Sequence, residues 1–338
     1  MDFSKLRSLF KLDFNRKQNS VITHLNSIND NNIKQTQNSP IKGIDRKLWG
    51  GYSPYALEEL KRVKNSSESP LDDRVRAARC LSRWYYEVQD FEKAYEELEF
   101  INKIKPVKKP GFNRVVLEIK VLKKLGERNI AKEKVWKAID NLGLQSTLCL
   151  SMAHLALREN EKLSWYNLIY DKYGYQPIEK LDESKQLNLE NITTSPTTSY
   201  NKDDLEKYKV SIIIPTFNAA DTIHIALESL MNQTMRNLEI LVVDDCSTDN
   251  TAEVVENYAA RDRRIKLIVK EKNEGAYMAR NKGLQYVTGD FITVHDSDDW
   301  SHSEKIEKQL LALLKDTKKV GSISYWVRVS DDLTPLNP

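Results

Sequence analysis

Asp296, Asp298 and Asp299 put three carboxylates within four positions, directly behind the apolar run Phe291-Ile292-Thr293-Val294. In extended chain the side chains repeat every two residues, so Asp296 and Asp298 share a face and Asp299 turns away from them. Carboxylates this close repel each other unless a cation sits between them, and hard oxygen donors suit Mg²⁺ or Mn²⁺. The same residues admit a second reading, an acidic turn at the start of the next helix. Ser301-His302-Ser303-Glu304 has the form of a capping box, and Asp299 could cap the helix that carries Ile306, Leu310, Leu313 and Leu314. His295 reads as a packed residue at a strand end rather than a ligand.

Positioning such a cluster requires a scaffold, and from Lys209 onward the chain alternates strand and helix patterns. Val210 to Pro215 is a continuous apolar run of the kind found in buried parallel strands. Asp221 is placed to cap a helix whose Ile223, Ala226, Leu227 and Leu230 share one face. Leu238 to Val243 is a second strand that ends at Asp244-Asp245. A helix from about Asn250 to Ala260, a strand from Ile265 to Val269, a helix from about Gly275 to Tyr286 and a strand from Phe291 to Val294 follow. Successive β–α steps imply an open parallel sheet flanked by helices, and ligands of such sheets bind beyond the carboxyl ends of the strands. Pro215 to Asn218, Asp244-Asp245, Lys270 to Gly275 and Asp296 to Asp298 would then lie along one rim.

On that rim a family resemblance becomes specific. Ser211-Ile212-Ile213-Ile214-Pro215-Thr216-Phe217-Asn218 resembles the opening strand of glycosyltransferase family 2. Val243-Asp244-Asp245-Cys246-Ser247-Thr248-Asp249 resembles that family's Val-Asp-Asp-Gly-Ser-Thr-Asp turn. Asn273-Glu274-Gly275 with Ala279-Arg280-Asn281 is similar to its third signature, and Asp296-Ser297-Asp298-Asp299-Trp300 to its metal-binding Asp-x-Asp. The resemblance runs from about Lys209 to Val329, where Ser322 to Val329 reads as a further strand. It implies an α/β fold of GT-A type, Rossmann-like, with a mostly parallel sheet. It also implies inverting transfer of a sugar from a nucleotide-diphospho-sugar, a UDP-sugar above all, to a glycan or lipid-linked glycan acceptor in polysaccharide or lipopolysaccharide assembly.

The resemblance carries roles to particular residues. Pro215, Thr216 and Asn218 would present the first turn to the nucleotide, and Asp245 would accept a uracil N–H. Asn273 and Gly275 would shape the loop against the nucleotide. Arg280 would pair either with a phosphate or with a rim carboxylate. Asp296 would meet ribose or metal and Asp298 the metal, with Mn²⁺ or Mg²⁺ bridging the diphosphate. Two departures stand out. Cys246 occupies the family's Gly position and would be strained if the turn needs positive φ. The general base that inverting transfer requires has no matching segment, and Asp331-Asp332 reads as a solvated pair.

The rest of the chain is of another kind. Residues 51–180 read as an all-α, tetratricopeptide-like domain. Its clearest unit is Ala78 to Pro106, with Leu81, Ser82, Tyr85, Ala94, Leu98 and Ile101 at packing positions. A weaker copy carries Ala131, Val135 and Ala138, and such an array offers a surface for a protein partner. Residues 181–208 read as a polar linker, and 209–338 as the transferase domain, cut short on its C-terminal side. Residues 1–50 read as a leader and connector, with Phe3, Leu6, Phe10 and Phe14 at helical spacing beside basic residues. That pattern suits either a helix on an anionic membrane surface or one docked on its own protein.

Whole-chain properties narrow the class. At 338 residues there is room for two domains, and a net charge of +3 gives no argument for nucleic acid. The three scattered Cys residues imply no disulfide framework. The expected setting is the cytoplasm, either free or at the inner face of the membrane. Two other functional classes fit parts of the pattern. One is a non-catalytic scaffold with a vestigial sugar-nucleotide half. The other is a nucleotidyltransferase, which would want a Gly-rich basic loop where Asn218-Ala219-Ala220-Asp221 stands.

Overall fold

The computed structural model describes residues 40–106, 112–195, 205–316 and 318–336. The amphipathic leader and most of the connector expected before it therefore lie outside the described residues. By its contacts the chain divides into two compact units, one running up to Glu127 and the other from Arg128 onward.

The first unit is helical. It contains α1 (Pro40–Trp49), α2 (Ser53–Asn65), α3 (Leu71–Glu87), α4 (Phe91–Ile104) and α5 (Phe112–Lys124). The first of these lies within the stretch expected as leader and connector. Its Ile41, Ile44 and Leu48, spaced three and four apart, are buried against Ala56, Leu60, Ala77 and Leu81. Leu81, Ser82, Ala94, Leu98 and Ile101 are all buried. At the closest approach of α3 and α4, the Ser82 hydroxyl donates to the carbonyl of Ala94 at 2.9 Å.

The second unit opens with α6 (Arg128–Leu142), α7 (Ser146–Leu155) and α8 (Glu159–Lys172). The division thus falls well before the boundary expected near residue 180, because α8 and the turn after it are bonded to the sheet domain. Part of the stretch read as linker is ordered too. Strands β1 (Ile178–Lys180) and β2 (Ile192–Thr194) pair antiparallel. Asn191 is buried between them, its amide donating to the carbonyls of Asp182 and Gln186 and its Oδ1 accepting from the Asp182 N–H. A polar composition hid this hairpin because only a few apolar residues, Ile178, Leu187 and Ile192, are buried in it and much of the rest is held by hydrogen bonds.

The sheet follows in the expected β–α order: β3 (Val210–Thr216), α9 (Ile223–Met231), β4 (Leu238–Asp244), α10 (Thr251–Arg261), β5 (Ile265–Val269), α11 (Ala276–Leu284), β6 (Phe291–Val294) and α12 (Lys305–Leu314). Its four strands are parallel in the order β5-β4-β3-β6. The central strands β3 and β4 are buried at every position, as their mostly apolar sequences require, whereas the edge strand β6 alternates. On one face Ile212, Ile214, Ile240 and Val242 pack with Ile223, Leu227, Leu230, Ile306 and Leu310. On the other, Ile213, Leu241 and Val243 pack with Ala279 of α11.

Helix α11 lies directly on the sheet because Ala279 and Gly283, one turn apart, face it. A Cβ at Gly283 would come within 2.6 Å of Ile213 Cγ2 and 3.2 Å of Val243 Cγ2. Gly283→Ala is therefore expected to destabilise the fold by about 1–3 kcal/mol through overpacking, read as a lowered urea midpoint. An unchanged midpoint would mean that α11 can lift off the sheet at no cost.

Two expectations are corrected here. Asp221 does not cap α9: Thr222 precedes the helix, with no side-chain capping bond. The strand expected over Ser322 to Val329 does not form. No ladder partner is present for it among the described residues, and the only pairing there is an isolated bridge between Val329 and Pro335. Val320, Ile323, Tyr325 and Trp326 are consequently exposed.

Candidate functional site

Beyond the carboxyl ends of β3, β4 and β6 lies a cleft of about 370 Å³. Pro215, Thr216, Phe217, Asp245, Asn273, Gly275, Ala276, Ala279, Arg280, Asp296, Ser297 and Asp298 line it. Every residue expected at the site is here except Asn218. The apolar part of the lining, from Phe217, Ala276 and Ala279, carried no signal in residue chemistry and became visible only with the fold.

Asn218 has a different task. Its N–H donates to Ser247 Oγ at 2.9 Å, and its Oδ1 accepts from the Thr248 N–H at 2.8 Å. It adopts φ 48°, a left-handed conformation that Asn tolerates better than most residues. Together with Asp249, which accepts from Ala220 N and Thr251 N, it stitches the loop after β3 to the loop after β4.

The adjacent Asp244 and Asp245 point to opposite sides of the strand end and are both buried. Asp244 accepts from the Ser247 N–H and hydroxyl and so closes its own turn. Asp245 accepts from the Gly275 N–H at 2.6 Å, from the Glu274 N–H and from the Lys270 ammonium. Burial opposes its charge, but the Lys270 bond and the two backbone donors hold its carboxyl below the ordinary carboxylate range. Asp245 thus pins the 270–275 loop to the cleft wall. Lys270, itself nearly buried, is a site residue the sequence reading did not single out. Its only advance signal was its position at the end of β5.

Gly275 has φ 88°, open to glycine and costly to other residues, and it begins the turn into α11. Cys246 takes φ 65°. The strain foreseen for a non-glycine residue at this turn is therefore present, and the weak Sγ contact to the Glu271 carbonyl at 3.7 Å does little to offset it. Cys246→Gly is expected to raise stability by about 1 kcal/mol, less the extra chain entropy of glycine, measured by thermal melting. A loss of stability would show that the thiol contact outweighs the strain.

On α11, Arg280 donates to Asp296 Oδ1 at 2.7 Å and stands over the Tyr277 ring. Of its two expected partners, then, the rim carboxylate is the one engaged. Its Nε is buried with no hydrogen-bond partner, as is the hydroxyl of Thr216 at the end of β3. Unsatisfied buried polar atoms are costly, and both of these belong to residues lining the cleft. A ligand bearing acceptor oxygens would satisfy them.

The carboxylates Asp296 and Asp298 are exposed at the cleft mouth. Among the described residues, no three His, Cys, Asp or Glu side chains gather where an ion could be held. A cation held at Asp296 and Asp298 would take one or two oxygens from the protein and the rest from phosphate and water, which is the usual manner for Mg²⁺. The donor set fits a hard divalent cation. Asp299 does not cap α12: Glu304 precedes that helix without a side-chain capping bond. Burial, with Asp296 and Asp298 adding repulsion, pushes the Asp299 carboxyl up.

His295 is buried as expected, and burial lowers it to about 4. Its Nδ1 lies 2.8 Å from the Asp296 carbonyl, which can only accept, so Nδ1 carries the proton and Nε2 accepts from the Ser301 hydroxyl at 2.8 Å. Asp332 is exposed, as expected, but it is not without partners. It pairs with Lys162 Nζ at 2.8 Å, and that bond, with those from Ser330 and Thr334, outweighs partial burial and holds the carboxyl far below the usual range.

Comparison with known proteins bears on the same segment. The family model for glycosyl transferase family 2 matches residues 211–335. The putative teichuronic acid biosynthesis glycosyltransferase TuaG of Bacillus subtilis (strain 168) is 37% identical over 128 residues, covering 38% of this chain and 50% of that protein. The UDP-Glc:alpha-D-GlcNAc-diphosphoundecaprenol beta-1,3-glucosyltransferase WfgD of Escherichia coli is 44% identical over 111 residues, 33% of this chain and 43% of that protein. Among solved structures, S. aureus TarS 1–349 in complex with UDP-GlcNAc is similar at 36% identity over 32% of this chain and 31% of that one, with a TM-score of 0.30. The chain spans half or less of the length of these relatives. Residues 211–335 are a domain of glycosyl transferase family 2.

Proposed function

We propose that the chain is a metal-dependent glycosyltransferase with a GT-A type fold. In this reading it transfers a sugar with inversion from a nucleotide-diphospho-sugar, a UDP-sugar, to a glycan or lipid-linked glycan acceptor in bacterial surface polysaccharide assembly. The observation that carries the reading is the convergence of Thr216, Asp245, Arg280, Asp296 and Asp298 on one cleft, with the Thr216 hydroxyl and Arg280 Nε left without partners. The names of TuaG, a putative teichuronic acid biosynthesis glycosyltransferase, and of WfgD, a glucosyltransferase named for UDP-Glc, support the donor class.

In this reading the base end of the nucleotide lies against Pro215, Thr216 and the Asp245-pinned loop, and the diphosphate lies toward Arg280. Asp298, with Asp296, holds Mn²⁺ or Mg²⁺. That cation supplies charge neutralisation for the departing nucleoside diphosphate. The residues' own part is to orient the diphosphate and to fix the rim carboxylates. Asp332 is unsuited as the general base because Lys162 stabilises its anion, and the base remains unassigned.

The helical segment over 51–180 is read as tetratricopeptide-like, with a surface for a protein partner. No described helix is long and apolar enough to cross a membrane, and the proposed site of action is the cytoplasm or the inner membrane face.

The test is thermal stabilisation of this chain by UDP with Mn²⁺ or with EDTA. At about a hundred times its dissociation constant, UDP should add about 2.7 kcal/mol with Mn²⁺ and much less in EDTA. No shift with UDP or any other nucleoside diphosphate would refute the donor-site reading.

A further inference from the structure

The segment that follows the rim carboxylates, Ser301 to Glu304, is buried throughout although every one of its side chains is polar. Such a segment persists only if its polar atoms are satisfied, and three elements satisfy them. From the end of α9, Gln233 Nε2 donates to the His302 carbonyl at 2.8 Å and the Thr234 N–H to the Ser303 carbonyl at 2.9 Å. From β2, Thr194 Oγ1 donates to Ser303 Oγ at 2.5 Å.

The third element is the turn between α8 and β1. The Gln176 N–H donates to Glu304 Oε2 at 2.7 Å, and the Gln176 carbonyl lies 2.9 Å from His302 Nε2. A carbonyl only accepts, so Nε2 carries the proton. Nδ1 is then free to accept from the Glu304 N–H at 3.1 Å. Both backbone groups of one residue, Gln176, are thus taken by two side chains of the segment. The His302 ring also lies 4.8 Å from that of Tyr170 and 5.2 Å from that of Tyr175, and it meets Trp300, the last residue of the Asp-run, edge-on at 6.2 Å.

We propose that His302 and Glu304 are positioning residues, through which the α8–β1 turn sets the placement of Asp298 for the cation. The assignment rests on the metal-site reading above. Asp298 makes no side-chain hydrogen bond or ion pair of its own among the described residues, so its placement comes from its backbone. That backbone is fixed on one side by β6, where the His295 N–H donates to the Ile213 carbonyl, and on the other by the Trp300–Glu304 clamp. The turn after α8 thereby becomes a working part of the site. Outer-shell partners of this kind commonly change metal affinity by about 10–100-fold when removed.

The experiment measures Mn²⁺ affinity by the loss of the free-ion electron paramagnetic resonance signal, in the presence of UDP, on the 338-residue chain. UDP affinity in EDTA is measured in parallel. His302→Phe keeps a ring against Tyr170 and Tyr175 but loses both hydrogen bonds, and Glu304→Ala loses the acceptor for Gln176. Each is expected to raise the Mn²⁺ dissociation constant about tenfold and to leave UDP affinity in EDTA within about twofold. Glu304→Gln keeps the acceptor and should retain wild-type affinity. Tyr175→Leu, at a half-buried position, is the arm for the case in which the other two do not fold, and it should show a smaller loss of the same kind.

Wild-type Mn²⁺ affinity in the folded variants would overturn the positioning role. An equal loss of Mn²⁺ and of metal-free UDP binding would overturn it too, since that pattern marks general disruption. Absence of Mn²⁺-dependent binding in the wild type would instead remove the metal-site reading on which the role depends.

Discussion

Asp298→Ala is expected to abolish the Mn²⁺-dependent part of UDP binding while leaving the stability of the free protein unchanged. The two effects separate because the carboxylate is exposed and holds no other group, and surface substitutions of that kind stay within about 0.5 kcal/mol. Asp296→Ala should behave differently. Its carboxylate is the partner of Arg280, 2.7 Å away, and Arg280 already has a buried Nε without a partner. Removing Asp296 therefore loosens the arginine as well as weakening the cation site, so that UDP binding in EDTA changes too. In a transfer assay, loss of the cation should cost several kcal/mol of transition-state stabilisation, on the order of 10²–10³ in rate. Isothermal titration of both variants with UDP, with and without Mn²⁺, checks this. Equal Mn²⁺ dependence in wild type and Asp298→Ala would remove Asp298 from the site.

The second large effect lies at the opposite end of the sheet. Glu239, near the start of β4, is 2% exposed. It accepts from Ser211 Oγ and the Thr288 N–H, each at 2.6 Å, and from Thr288 Oγ1 at 2.9 Å. Lys209 and Lys266 stand at 3.3 and 3.4 Å. Burial alone would raise its pKa. The bonds from Ser211, Thr288 and Lys209 overcome that and bring it from the ordinary 4.5 down to about 2.

A carboxyl depressed in the folded state contributes stability that is full above the unfolded value and is lost as pH falls through the folded one. Between pH 4.5 and 2 this single group should thus account for about 3 kcal/mol. Glu239→Gln should flatten the dependence of unfolding free energy on pH in that window. Glu239→Ala, which strands the donors it served, should cost about 3–5 kcal/mol at pH 7. Urea unfolding from pH 5 to pH 2 distinguishes these cases. Identical pH profiles for wild type and Glu239→Gln would show that the stabilisation lies elsewhere.

The alternation of strand and helix was readable because β3 and β4 are buried on both faces and so are written as apolar runs, Ile212 to Pro215 and Ile240 to Val243, interrupted only near their starts by Ser211 and Glu239. Their carboxyl ends could then be located, and with them the rim. That Asp245, Arg280, Asp296 and Asp298 would line one cleft was legible by residue type and place. Asn218 was not, because an Asn after a strand serves a ligand or a neighbouring loop equally well, and only the positions of Ser247 and Thr248 decide. Lys270 was hidden by its ordinariness, one lysine among many, until the loop folded back onto Asp245. Asp332 is exposed as its polar surroundings suggested, but its pairing with Lys162 was hidden because the two lie far apart in sequence. The Ser322 to Val329 stretch has strand composition, but strand formation depends on a neighbour, and none is supplied among the described residues.

That same tie between Lys162 and Asp332 has a consequence for how the chain can vary. Lys162 Nζ also donates to the Asp332 carbonyl and to Thr334 Oγ1, Tyr166 donates to the Leu333 carbonyl, and His154 meets the Pro335 carbonyl. The stretch between the end of α12 and Asp332 is therefore a loop fastened at both ends. Closing a flexible loop becomes costlier only slowly with length, by about 0.6 kcal/mol for each doubling. The fastening at α8 can accommodate insertions or a wholly different sequence over residues 318–328 while the turn bearing Asp296 and Asp298 keeps its place. Tyr325 and Trp326 thus lie where this fold can change its outer face without disturbing the cleft.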